Sequence, residues 1–369
     1  MPLRFGKITS DKTAISHLGN KVEKFDVGTY CNALQRYIWK HICRGKRIIS
    51  ISGLTALSSF SLALLFSSCA SGGRQSSPPA VPVAARSILN VHQVGSIGPE
   101  IGALGKLIEP ASLLVDNLGD IFIADRAINA IYKLSADLTP LKREGGLGGF
   151  GGGFNRPLGM ACDAALNLYI ADGGNRRIQT LDRNLRFVKS TDSYEDRDGQ
   201  VVEFNFPSDI AIDNEGNIWV ADEDKVLKLD PFYKLIFEAS DKGAGYFILG
   251  RVSSIEISMA GNVAIGDAGN RRIVIMSTYG NFIADIPTGS ASAVTWDDKD
   301  NIWAIESDRN RISCYNMTGD LLYTFADMGG SRPIWIAFGR DGELLVLDSN
   351  QRRLKTYEII RGAEAPDKK

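Results

Sequence analysis

The sequence predicts an all-β chain folded as a six-bladed β-propeller of four-stranded antiparallel blades, with an N-terminal strand closing the last blade. Three observations lead there. A short apolar segment ending in an acid recurs six times. A proline or a small residue stands 15 residues ahead of each acid. Between the apolar runs lie turns rich in Gly, Asn and Asp. The segments are IFIAD (121–125), LYIAD (168–172), IWVAD (218–222), VAIGD (263–267), IWAIE (302–306) and LLVLD (344–348). Their acids, Asp125, Asp172, Asp222, Asp267, Glu306 and Asp348, are spaced by 47, 50, 45, 39 and 42 residues. A period near 45 with four short strands per unit is the signature of propeller blades.

Each unit reads in the same order. The slot ahead of the first strand holds Pro110, Pro157, Pro207, Val252, Ala291 and Pro333. A short apolar run follows, such as SDIAID or LGMACD, and then a turn such as DNLGD or DNEGN. Such turn residues tolerate left-handed backbone and make tight hairpins. The acid-ended strand comes next. A third strand follows, as in AIYKL, RIQTL, KVLKL, RIVIM, RISCY and RLKTY, and then a fourth, as in RFVKS, KLIFE, NFIAD and LLYTF. The connection between second and third strands is nearly repeated in DGGNRRI (172–178) and DAGNRRI (267–273). There the acid is expected to accept backbone N–H bonds, Gly173, Gly174 and Asn175 to supply positive φ, and Arg177 to pair with a carboxylate. The Gly-rich run 145–154 lacks the Lys-Ser/Thr of a phosphate loop and reads as the link from blade one to blade two. The sixth unit has no fourth strand of its own. SILNVHQVG (87–95) alternates as a half-buried strand should and is expected to complete it, removing an exposed edge.

Proline, apolar strand, D-x-x-G-N, I-x-V-A-D-x-x-N-x-R-I and a Gly-led last strand resemble the NHL repeat. The resemblance covers about 110–360. It departs in unit five, where Glu306 replaces Asp, and in unit three, whose second turn is two residues shorter. The resemblance implies a propeller and is almost silent about activity.

The N-terminus adds a second theme. Residues 48–66 carry no charge, Arg44, Lys46 and Arg47 precede them, and SSCAS follows. Basic flank, apolar core and small residues describe a secretory signal within a leader of residues 1–68. The cysteine resembles the lipobox of bacterial lipoproteins, which implies lipid attachment at Cys69 and a place at the cell envelope, with the outer membrane as the expected location. An uncleaved anchor helix is the alternative. Residues 69–85 form a Gly/Ser/Pro tether, 86–361 the propeller and 362–369 a charged tail.

Residues 1–68 hold 10 basic and 3 acidic side chains, leaving 32 and 40 and a net charge of −8 beyond them. That balance, with export, argues against a nucleic-acid partner. His92 is the one histidine past the leader, which disfavours the multi-His zinc site of amidating lyases that share the repeat and a Ser-His-Asp arrangement. Cys162 and Cys314 read as buried thiols rather than a disulfide. No catalytic residue, cofactor site or metal site is assigned. The favoured reading is a membrane-anchored binding or scaffold module for a protein, peptide or glycan. The alternative is a hydrolase or lactonase with calcium held by carboxylates in the channel.

The residues just before the slot, Glu109, Arg156, Phe206, Arg251, Ser290 and Arg332, are expected at the channel mouth. Two residues past the slot, Asp209 and Trp335 are expected to add a polar handle and an aromatic platform. Three arginines at a concave mouth suit carboxylate, sulfate or phosphate groups. The competing expectation is that each arginine pairs with an Asp of the neighbouring blade.

Overall fold

The computed structural model describes residues 88–240, 248–326 and 329–362. The leader, Cys69, the tether and nearly all of the charged tail lie outside the described residues. The chain enters on β1 (Ile88–Ile97) and then builds its blades in turn. Blade one is β2 (Pro110–Val115), β3 (Ile121–Asp125), β4 (Ala130–Leu134) and β5 (Pro140–Gly145). Blade two is β6 (Pro157–Cys162), β7 (Leu168–Asp172), β8 (Arg177–Leu181) and β9 (Phe187–Thr191). A hairpin of β10 (Ser193–Glu195) and β11 (Val201–Glu203) precedes blade three, which is β12 (Pro207–Ile212), β13 (Ile218–Asp222), β14 (Lys225–Leu229) and β15 (Leu235–Ala239). Blade four is β16 (Val252–Ile257), β17 (Asn262–Asp267), β18 (Arg272–Ser277) and β19 (Phe282–Pro287). Blade five is β20 (Ala291–Trp296), β21 (Ile302–Glu306), β22 (Arg311–Tyr315) and β23 (Leu321–Phe325). Blade six has β24 (Pro333–Phe338), β25 (Leu344–Asp348) and β26 (Arg353–Arg361), with β1 as its outermost strand.

Every first strand begins at the slot, and every second strand ends at the acid. The closing strand runs antiparallel to β26, with Val91 opposite Ile359, His92 opposite Glu358 and Ile97 opposite Leu354. β26 does not fade after Tyr357. It continues to Arg361 because β1 gives it a hydrogen-bonding partner along that length. The hairpin β10–β11 is an addition to the repeat, turning at EDRDGQ (195–200), where Gly199 takes φ +79°.

Sheets stack face to face around the ring, so the core is distributed rather than central. Val263 and Ile265 of blade four pack on Trp219 and Val226 of blade three. The same kind of cluster sits between each neighbouring pair. The last of them joins Leu113 and Ile123 of blade one to Leu345 and Leu347 of blade six. First strands β2, β6, β12, β16, β20 and β24 neighbour one another in sequence, and β24 returns to β2. They therefore line a central channel with two mouths, one where the first strands begin and one where they end.

Candidate functional site

The six repeated acids are the clasps of the blades. All are nearly fully buried. In each blade the residue two before the slot donates to the acid at the end of the second strand. Ile108 N–H reaches Asp125 at 2.6 Å, Asn155 N–H reaches Asp172 at 2.7 Å and Asn205 N–H reaches Asp222 at 3.0 Å. Gly250 N–H reaches Asp267 at 3.0 Å and Gly289 N–H reaches Glu306 at 2.9 Å. In blade six the donor is the Ser331 hydroxyl, at 2.5 Å from Asp348. The acid thus pins the loop entering each blade. Arginine or lysine neutralises it where the third strand begins or runs past: Arg177 on Asp172 at 2.8 Å, Arg272 on Asp267 at 2.9 Å and Lys355 on Asp348 at 3.0 Å. Arg177 also donates to the carbonyls of Gly149, Phe150 and Gly153, so the Gly-rich link is wrapped around this clasp. In Glu306 the extra methylene lets one carboxylate reach Arg311, Ser313 and Tyr315 as well. Burial pushes its carboxyl up, but those donors and the Gly289 N–H outweigh burial and hold it at about 2.

One expectation about this turn is corrected. The left-handed residue is neither glycine nor Asn175 but Arg176, at φ +55°, the last residue before the third strand. Arg271 and Arg352 do the same in their blades, at φ +58° and +53°. Gly174 is needed for close approach instead: a Cβ there would lie 2.6 Å from the Asn155 carbonyl oxygen of the entering loop.

The first mouth is shared by the slot loops and these clasps. Arg126 N–H bonds the Glu109 carbonyl, and Ser349 N–H bonds that of Arg332, which ties strand-one entry to the second turn. Arg156, Arg251 and Arg332 are exposed here. None of the three forms an ion pair among the described residues, whereas Arg126 does so with Glu109 at 2.5 Å. They belong to blades two, four and six, so they alternate around the ring. Arg332 and Arg352 line a cleft of about 380 Å³ between blades six and one, with Arg126, Glu109 and Asn350.

The second mouth has a different character. A cavity of about 610 Å³ opens there, walled by Leu114, Met160, Trp296, Trp335 and Phe338, with Glu256 among them. Glu256 is half-buried in the cavity wall, near the end of its first strand. Its carboxylate has no hydrogen bond or ion pair among the described residues, and burial pushes it up to about 7. Asp209 lies close by but is not presented at the arginine mouth. It is 2% exposed, and its carboxylate accepts from Ile255 N–H at 2.8 Å and Ile210 N–H at 2.9 Å. It fits there because Gly159 lacks a Cβ, which would fall 2.5 Å from Asp209 Cα. Burial raises the Asp209 carboxyl well above its ordinary range. Trp335, expected beside the arginines, walls the far cavity instead, because its strand carries it down the channel.

Glu256 was missed in the sequence, though a signal exists. Four residues past the slot the other blades have Leu114, Ala161, Ala211, Thr295 and Ala337. A carboxylate in that register breaks the pattern. Elsewhere, Cys162 and Cys314 are free thiols, half-buried and buried, and burial pushes Cys162 up to about 12. His92 meets Glu358 at 3.2 Å on the exposed closing strand. Among the described residues no group of three or more His, Cys, Asp or Glu side chains is placed to hold a metal ion. Among the same residues no helix is long and apolar enough to cross a membrane.

Comparisons with known proteins agree with this architecture. The NHL repeat model matches residues 204–225, the segment that carries Pro207 and the Asp222 clasp. The chain is 38% identical over 78 residues to NHL repeat-containing protein 3 of Homo sapiens and 36% identical over 78 residues to that of Mus musculus. Each match spans 20% of this chain and 22% of the relative's length. Among solved structures, a catalytically inactive virginiamycin B lyase from Staphylococcus aureus with quinupristin superposes at a TM-score of 0.50. It shares 14% identity and covers 68% of this chain and 80% of that one, a likeness of fold alone. Fold and repeat together support an NHL-type six-bladed β-propeller.

Proposed function

We propose that the protein is an exported, lipid-anchored binding module that holds a protein, peptide or glycan through anionic groups at the arginine mouth of its propeller. One observation supports this most: Arg156, Arg251 and Arg332 extend from alternate blades, exposed and without carboxylate partners among the described residues. Neighbouring arginines are engaged, as Arg271 is by Asp308 at 2.5 Å. An unpaired guanidinium offers a planar fork to a carboxylate, sulfate or phosphate. Three around one mouth favour a ligand with several such groups over a single ion. The basic flank, uncharged stretch 48–66 and Cys69 supply the export and anchoring half of the reading.

Titration with poly-glutamate and with a heparin oligosaccharide tests the binding half. Each of Arg156→Gln, Arg251→Gln and Arg332→Gln should weaken binding several-fold with the melting point unchanged. Loss of stability without loss of binding would return the arginines to a structural role. Cys69→Ala, followed by labelled palmitate and membrane fractionation, tests the anchor.

A further inference from the structure

The second mouth presents the reverse chemistry. We infer that the cavity around Glu256 is a binding site for a small ligand that carries a protonated amine on an apolar or aromatic body. The argument begins with what the fold leaves unsatisfied. All six clasp acids take donors from their own blade or the loop entering it, and the acids that close first-strand turns are also supplied, from their own blade or the next. Asp213 accepts from Trp219 Nε1–H and Lys228, and Asp297 accepts from Trp303 Nε1–H and Arg361. Asp209 has two backbone N–H donors. Glu256 has none among the described residues, although it is half-buried in the cavity wall.

A carboxylate in such a place is costly unless something comes to meet it. The cavity states what that something is. Its volume of about 610 Å³ is that of a small-molecule pocket. Its walls are Leu114, Met160, Trp296, Trp335 and Phe338, which suit an apolar body and offer aromatic faces to a cation. Its rim holds Asp298 and Asp300. Of these, Asp298 is shared with Arg361 at 3.2 Å, so the rim disfavours anions more than it binds cations. An ammonium bonded to Glu256 supplies the missing donors and neutralises the half-buried charge in one contact. This reading is independent of the arginine mouth, which recognises the opposite charge at the other end of the channel.

The probe is 2-phenylethylamine, with 2-phenylethanol as its neutral counterpart and 3-phenylpropionate as an anion of similar size. Binding is followed by isothermal titration and by indole fluorescence, since Trp296 and Trp335 wall the cavity. The wild-type protein should bind the amine roughly tenfold or more tightly than the alcohol, and the anion least. Glu256→Gln keeps shape and removes charge. It should bring the amine down to the level of the alcohol and leave the alcohol unchanged. Equal binding of amine and alcohol by the wild type overturns the proposal without recourse to any variant. So does an amine preference that survives Glu256→Gln. A Gln variant that fails to fold would also overturn it, because Glu256 would then be a hidden structural group.

Discussion

Glu306 and Glu256 are acids of neighbouring blades with opposite circumstances. Glu306 ends a second strand, fully buried, and gathers donors from Gly289, Arg309, Arg311, Ser313 and Tyr315. Glu256 lies on a first strand, faces the channel and has gathered none among the described residues. One is held at about 2 and the other is pushed up to about 7. Burial acts on both in the same direction, so hydrogen bonding makes the difference. The contrast separates groups that hold the ring together from a group the ring merely contains. Repetition marks the first kind, and departure from the repeat marks the second.

The largest test of that division removes a ring-holder outright. Deleting 88–97 strips β26 of its partner and takes Ile88, Val91 and Ile97 from the clusters around blade six. We expect a loss of roughly 5 kcal/mol, enough to threaten folding, read from urea unfolding. An unchanged midpoint would refute closure by strand exchange. Next in size is Glu306→Ala. It leaves Arg311, Tyr315 and the Gly289 N–H without their acceptor and should cost about 4 kcal/mol, with a matching fall in melting temperature. The wild-type contribution of Glu306 is fully present above pH 4.5 and is lost as pH falls toward about 2, because its folded pKa is depressed.

Glu256 should behave in the opposite sense. Its folded pKa is raised, so stability falls as pH rises from 4.5 through about 7. Glu256→Gln should therefore stabilise the protein by about 2 kcal/mol at pH 8 and by little at pH 4. Asp209, also raised by burial, acts in the same direction on the strand beside it, and Asp209→Asn measured in parallel separates the two. A Gln variant less stable than wild type at pH 8 would erase the distinction between the two glutamates. The smallest effects belong to Arg156→Gln, Arg251→Gln and Arg332→Gln. Exposed and without ion pairs among the described residues, each should shift stability by less than about 0.5 kcal/mol. A loss beyond 1 kcal/mol would mean that these arginines too hold the ring.

Much of this was legible in the residues. Slot and acid recur in register, and the strands begin and end on them because both are backbone devices. Proline opens a strand whose first N–H is not needed there, and the buried acid caps the loop that enters the blade. The closing strand was legible because β26 lacked a successor and 87–95 lacked a blade. The hairpin 193–203 was not singled out, although its DRDGQ turn was in view. It lies outside the repeat, and periodic reasoning passes over what does not recur. The left-handed residue was misassigned to glycine for a related reason. Glycine tolerates positive φ, but here Gly174 was required by a loop 19 residues away, and Arg176 took the strained place.

By itself, then, the sequence determined what depends on period and backbone: six blades, their boundaries, their clasps and the closing of the ring. It also placed the arginines at the mouth where first strands begin, since position along a strand follows from counting. Only the tertiary structure decided which charges are satisfied. Ion pairing and burial depend on what a neighbouring blade brings within a few ångströms, and sequence spacing does not report it. That is why Asp209 and Glu256, both acids on first strands, read alike in the chain and differ in the ring. One has room beside Gly159 of blade two and meets the N–H groups of Ile210 and of Ile255 in blade four, and the other faces an open channel.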